Sequence, residues 1–182
     1  MMRIIAGTLK GRRLTPPRWD GLRPTSDKLR ETLFNVLGPG IAGQRVLDAY
    51  AGTGAVGIEA LSRGAGHVTF VENDRRAADL IEQNLVRCGV TDRYAIIRVE
   101  FARAARRLAG AAFDVIFLDP PYGADELAEA LKTTARLAAD QTLVIVEHAK
   151  RDRVPATVGP LALTRDLISG DSGLAFYRMA SD

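Results

Sequence analysis

Residues 113–123 read FDVIFLDPPYG, an apolar run that ends in an acid, two prolines and an aromatic ring. Two adjacent prolines donate no backbone hydrogen bonds and cannot continue a strand. A chain that only had to turn could do so with Asn-Gly or Asp-Gly. Asp119-Pro120-Pro121-Tyr122 reads instead as a stiff platform that fixes a carboxylate, carbonyl oxygens and a ring. Such a set suits an exocyclic amine whose lone pair is delocalised into an aromatic base. Acceptors on its two N–H groups would draw the nitrogen toward sp3 and localise the lone pair. The Asp119 carboxylate can supply one acceptor. The Pro120 carbonyl can supply the other, held because the Pro-Pro unit has little φ freedom. Tyr122 offers a face for a splayed-out base.

A second group of residues indicates what the amine would react with. In LDAYAGTGAVGIEA, Gly52, Gly54 and Gly57 spell G-x-G-x-x-G, and Glu72 follows 20 residues after Gly52. That is the dinucleotide fingerprint, although glycines alone can also serve a tight strand-to-helix turn. Asp48 decides between ligands. It stands at the end of the first strand, where it would repel a pyrophosphate and attract a cation. S-adenosylmethionine carries an α-ammonium and a sulfonium and has no phosphate, so it fits this loop better than a nicotinamide dinucleotide. Glu72 can accept from both ribose hydroxyls. Glu100 could accept from the adenine amino group and Phe101 could pack on the ring; the alternative is a surface acid beside a core Phe.

These groups need a scaffold. Strand-like runs fall at 45–50, 67–72, 94–100, 113–119 and 142–148, with helical patterns at 55–63, 74–87, 101–109 and 124–138. That alternation predicts an α/β protein with a doubly wound, mostly parallel sheet, seven-stranded in all, and helices on both faces. LALTRDLIS and GLAFYRMA, around Gly170–Gly173, predict an antiparallel C-terminal hairpin at the sheet edge. A helix starts after Thr25 or Ser26 and ends at Gly38-Pro39-Gly40. Residues 1–24 read as a short β-hairpin arm with an irregular linker, and residues 25–182 as the main domain.

The 182 residues are 47% hydrophobic and 26% charged, the profile of a globular protein that can bury a substantial core. No apolar run approaches the roughly 20 residues of a membrane span, and the N-terminus lacks a secretory h-region. A cytoplasmic setting is expected. The one cysteine, Cys88, leaves no internal disulfide and reads as a small buried hydrophobe. With two separate histidines, His67 and His148, no metal site is expected. Residues 1–30 carry eight Lys/Arg against two acids, while the whole chain nets only +3. This basic segment, with Arg3, Lys10, Arg12 and Arg13, is either a polyanion contact or a solvated arm.

The wider pattern, RIIAG…KGRRL…LRPTSDKLRETLFN…DAYAGTGAVGIEALSRGA…VEND…FLDPPY, resembles the RsmD family over essentially the full chain. The resemblance implies a Rossmann-like class I methyltransferase that uses S-adenosylmethionine to methylate guanine N2 of small-subunit ribosomal RNA. It implies cofactor contacts from Asp48, Gly52, Thr53, Gly54, Glu72 and Asn73, and a target site at Asp119, Pro120, Pro121 and Tyr122. It also implies that LRPTSDKLRE closes over the methionine end, with Thr25 in contact. Glu100-Phe101 stands where relatives carry a smaller polar–Ala pair.

Two other functions are compatible with these residues. A DNA amino-methyltransferase shares Asp-Pro-Pro-Tyr but usually carries a separate domain that reads base edges. This chain has only a short basic hairpin beside its catalytic sheet, which favours a target presented by folded ribosomal RNA or an assembling small-subunit particle, bound by a monomer. DNA stays possible, because a flipped base could enter the same pocket. A non-catalytic RNA-binding assembly factor would not need an intact platform and glycine loop. Cytosine-C5 chemistry would need a cysteine nucleophile at the pocket.

Overall fold

The computed structural model describes residues 2–22 and 24–180; Arg23, part of the LRPTS segment, lies outside the described residues. The first helix, α1, covers Asp27–Leu37, with the Ser26 hydroxyl accepting from the Leu29 N–H as its N-cap. It ends at Gly38 and passes into a 3-10 turn, Gly38–Ile41. Four strand–helix units and a fifth strand follow: β1 (Arg45–Ala49), α2 (Ala55–Ser62), β2 (His67–Val71), α3 (Arg75–Arg87), β3 (Tyr94–Ile97), α4 (Phe101–Arg107), β4 (Val115–Leu118), α5 (Ala124–Thr134) and β5 (Leu143–Ala149). The chain then forms β6 (Thr157–Val158), β7 (Leu161–Ser169) and β8 (Ser172–Met179).

The strands make one sheet in the order β3-β2-β1-β4-β5-β8-β7-β6. β1 to β5 are parallel, and β8, β7 and β6 join antiparallel. The sheet has eight strands where the sequence predicts seven; the addition is β6, a two-residue pairing with the start of β7. Strand order reverses between β1 and β4, and such a switch point opens a crevice at the carboxyl ends of its strands.

Side-chain alternation divides the core into two layers. Val46, Phe70, Phe117 and Ile145 turn to one face, where α1, α2 and α3 cover them with Leu33, Phe34, Ile58, Leu61 and Ile81. Leu47, Ala49, Ile116 and Val146 turn to the other, under Phe101 and Ala104 of α4 and Leu127 and Leu131 of α5. Cys88 is fully buried in the first layer. No helix among the described residues is long and apolar enough to cross a membrane.

The N-terminal arm is an antiparallel hairpin, as the sequence predicts, but a sparsely paired one. Its two runs are joined by a single bridge, Arg3 to Arg13, flanked by a few backbone hydrogen bonds, rather than by a two-stranded ladder. The amides that would extend a ladder are turned to α2. Ile5 and Ala6 donate to the Glu59 carboxylate, Thr8 donates to the Ser62 carbonyl, and Leu9 donates to the Ser62 hydroxyl. Ile4 and Leu14 are buried in the first core layer, with residues of α1, α2 and α3.

Candidate active site

At the switch point a cavity of about 720 Å³ opens, within the range of small-molecule sites. The β1–α2 loop forms its floor. Gly52 and Gly54 hold φ of +56° and +76°, and Tyr50, a non-glycine, holds +62°. Left-handed backbone is strained for Tyr50, so the surrounding structure must impose it. Its ring packs against Phe101, with centroids 5.4 Å apart. Burial, with the charge of Glu129, pushes the Tyr50 hydroxyl up to about 12. Gly57 allows close packing of α2 on the sheet: a Cβ there would lie 2.2 Å from the Phe70 ring.

Four carboxylates follow one another along the carboxyl edge of β2, β1, β4 and β5, at Glu72, Asp48, Asp119 and Glu147, and all four line the cavity. Glu72 accepts from the amides of Gly52 and Asp74, both at 2.8 Å, which fixes its head against the glycine loop. A carboxylate has about four acceptor positions, so capacity remains for a ligand's hydroxyls. Asp48 accepts from the Gly57 amide at 2.9 Å. Burial chiefly, offset by that amide and increased by the charge of Glu72, raises its carboxyl to about 8. Asp119 is also raised well above the usual carboxylate range, first by burial and then by Glu147 and Asp48. Such a row repels phosphate and favours cations and N–H donors. Among the described residues no three His, Cys, Asp or Glu side chains converge to hold a metal ion.

Thr25, Asp48, Gly52, Thr53, Glu72, Asn73, Asp119, Pro120, Pro121 and Tyr122 all line this one cavity. Tyr122 stands at its mouth, 41% exposed. Gly54 lies just behind the wall, capping α2. Glu100 and Phe101 are not brought to the cavity. Glu100 is exposed before the first turn of α4, and the Phe101 ring is buried beneath Tyr50 in the opposite core layer. Arg3, Lys10, Arg12 and Arg13 are exposed on the arm and do not line the cavity either.

Three features escaped sequence reading. Tyr50 precedes the glycine loop and supports it, and only an aromatic before AGTG hinted at this. Glu147, 5% exposed, sits inside the apolar run LVIVEH, where a lone acid was the available signal. The turn Ser169–Ser172 between β7 and β8 forms part of the cavity wall, which required knowing that β8 inserts beside β5. The segment from Trp19 to Ser26 also borders the cavity wherever it is described; Trp19 stacks under the Arg76 guanidinium, and Leu22 lies against Gly52.

A Rossmann-like sheet with a glycine loop after β1, an acid ending β2 and Asp-Pro-Pro-Tyr ending β4 defines a class I methyltransferase. The family described as "Conserved hypothetical protein 95" matches residues 2–178, and the chain belongs to that family, the RsmD family. The chain is 39% identical to YlbH of Bacillus subtilis over 184 residues, covering 97% of this chain and 98% of that protein. It is 36% identical to ribosomal RNA small subunit methyltransferase D of Escherichia coli K12, covering 97% and 89% of the two chains. The solved structure of yhhF from Escherichia coli superposes with a TM-score of 0.85 at 33% identity, covering 100% and 99%.

Proposed function

We propose that this protein methylates ribosomal RNA with S-adenosylmethionine, and that the methyl group goes to guanine N2 in small-subunit RNA. The observation that carries the reading is the meeting of two machineries in one cavity: the acid-bearing glycine loop after β1 and the Asp119–Tyr122 platform after β4. Family membership supports ribosomal RNA as the substrate class. A ribosomal substrate would place the protein in the cytoplasm, working as a monomer on RNA or on an assembling particle.

The residues present fit the cofactor. Asp48 would face its ammonium, Glu72 its ribose hydroxyls, and Gly52, Thr53 and Gly54 would let backbone approach closely, with Asn73 and Thr25 at the edges. The cofactor supplies an electrophilic methyl on a cationic sulfur. Asp119 and the Pro120 carbonyl accept from the two N–H groups of the target amine and so localise its lone pair. Pro121 stiffens the platform, and Tyr122 stacks on the base. A methylated amine is acidic until it loses its extra proton, so Asp119 need only receive that proton after transfer.

The test incubates purified protein and labelled S-adenosylmethionine with small-subunit particles and free RNA from cells lacking the protein. Nucleoside analysis should yield N2-methylguanosine at one mapped position. Label on adenine N6, or none on either substrate, would refute the reading.

A further inference from the structure

Glu147 takes no part in the chemistry described so far, yet its position is specific. Leu118 of β4 is in register with Val146 of β5, so the next residues, Asp119 and Glu147, are lateral neighbours. Adjacent strands lie about 5 Å apart. Both residues follow the alternation of Phe117 and Ile145, so both project to the face of the sheet that α1 and α2 cover. Both line the cavity, and Asp119 feels the charge of Glu147 more than that of Asp48. The target end of the cavity thus presents two carboxylates side by side, on the far side of Asp119 from the glycine loop.

Nucleobases answer such a pair differently. Guanine carries two neighbouring donors on its Watson–Crick edge, N1–H and the N2 amine. Adenine sets an amine beside the N1 acceptor, and cytosine an amine beside the N3 acceptor. A lone pair pointed at a carboxylate is repelled and leaves an acceptor unpaired, a mismatch that discriminates against the wrong base. We propose that Glu147 is a specificity-determining residue that accepts from guanine N1–H while Asp119 accepts from the N2 amine. The inference rests on the guanine N2 reading above. Guanine's two donors also relieve the repulsion between the neighbouring acids, so the pair is matched to guanine and mismatched to the other amino bases.

The discriminating substrate is 2-aminopurine, which keeps the N2 amine but has an N1 acceptor without hydrogen. Small-subunit particles are assembled on ligated RNA bearing guanosine or 2-aminopurine riboside at the mapped target. Wild type should prefer guanosine by about 10- to 100-fold in kcat/KM. Glu147→Gln, whose amide can donate to the N1 acceptor, should narrow that ratio to within about threefold while S-adenosylmethionine affinity, read by calorimetry, holds. Glu147→Asp, which keeps a carboxylate, should retain a guanosine preference. A merely structural role would lower both rates together and leave the ratio at its wild-type value in Glu147→Gln, overturning the inference. No preference in wild type would overturn it as well, with the guanine reading intact. Methyl groups found on adenine or cytosine would overturn both.

Discussion

Asp48 is held by two opposing demands. Burial favours its neutral form, with the carboxyl raised to about 8 from an ordinary 3.8, whereas a cationic ligand needs the carboxylate. The native state therefore binds a proton between pH 4 and 8 that the unfolded chain has released, so this residue's contribution to stability declines as pH rises through that window. Asp48→Asn keeps an acceptor for the Gly57 amide and removes the cost. It should stabilise the ligand-free protein by at least about 1 kcal/mol at pH 8, about 2–4 °C in Tm, with the gain vanishing near pH 4. Thermal melts across that range decide it; a variant less stable than wild type at pH 8 would show that the side chain is not under this strain. The same substitution should weaken S-adenosylmethionine binding at least about tenfold. At pH 7 it should also diminish the proton release seen when wild-type binding is measured in buffers of different ionisation enthalpy. Asp119→Ala should differ in kind, leaving cofactor affinity within about threefold while single-turnover methyl transfer falls at least about 100-fold, since its proposed partner is the target amine. Transfer near the wild-type rate would remove Asp119 from the chemistry.

At the scale of elements, α1, α2 and the arm meet on Glu59. This fully buried carboxylate accepts from the Ile5 and Ala6 amides and from Arg63, and lies 3.5 Å from the equally buried Arg30 of α1. Arg30 also donates to the Arg3 carbonyl. Removing one partner of such a group strands the others without water, so Glu59→Ala should cost about 3–5 kcal/mol, and Glu59→Gln, which keeps an acceptor, distinctly less. Denaturant melts measure the loss, and limited proteolysis should show cleavage within residues 1–15 rising with it. Equal stability of wild type and Glu59→Ala would mean that the arm docks through Ile4 and Leu14 alone. Asn84 of α3 does related work: its side-chain amide pairs with Thr15 and donates to the Thr53 carbonyl, tying the end of the arm to the glycine loop. These long-range contacts explain what sequence could and could not convey. The five parallel strands, the Ser26 cap and the Gly52, Asp48 and Asp119 positions follow from local periodicity and loop chemistry. Glu59 reads only as a polar residue in GIEALS, because apart from Arg63 its partners are 29 and more than 50 residues away. Glu147 and the β7–β8 turn become part of the site only once β8 is placed beside β5. Phe101 stands where strand three ends and could equally pack on a ligand or in the core; the structure sets its ring against Tyr50 in the core.

At the scale of the molecule, charge is sorted by location. The cavity carries the row of acids, whereas Arg3, Lys10, Arg12 and Arg13 stand exposed on the arm. The arm's turn rests on Ser62 at the end of α2, and the Arg12 guanidinium lies beside Gly89, just beyond α3. The cavity lies at the opposite end of α2, whose eight residues span about 12 Å. The basic turn of the arm is thus separated from the reacting atoms by a helix length and has too little surface to read base edges. Its expected role is to hold phosphates of a folded RNA while the target base is delivered elsewhere, so that polyanion is drawn to the arm and kept from the acid row. Replacing Lys10, Arg12 and Arg13 with alanine should lower affinity for small-subunit RNA. It should also flatten the dependence of log affinity on log salt by up to about 2–3, the share of three phosphate contacts. At saturating RNA, kcat should stay within about twofold of wild type, because none of the three touches the cavity, and cofactor affinity should be unchanged. Binding across a salt series, with turnover measured at the low-salt end, separates these effects. Parallel slopes with equal affinities would make the arm a solvated structural edge. A loss confined to kcat would place it nearer the chemistry than its seat on α2 allows.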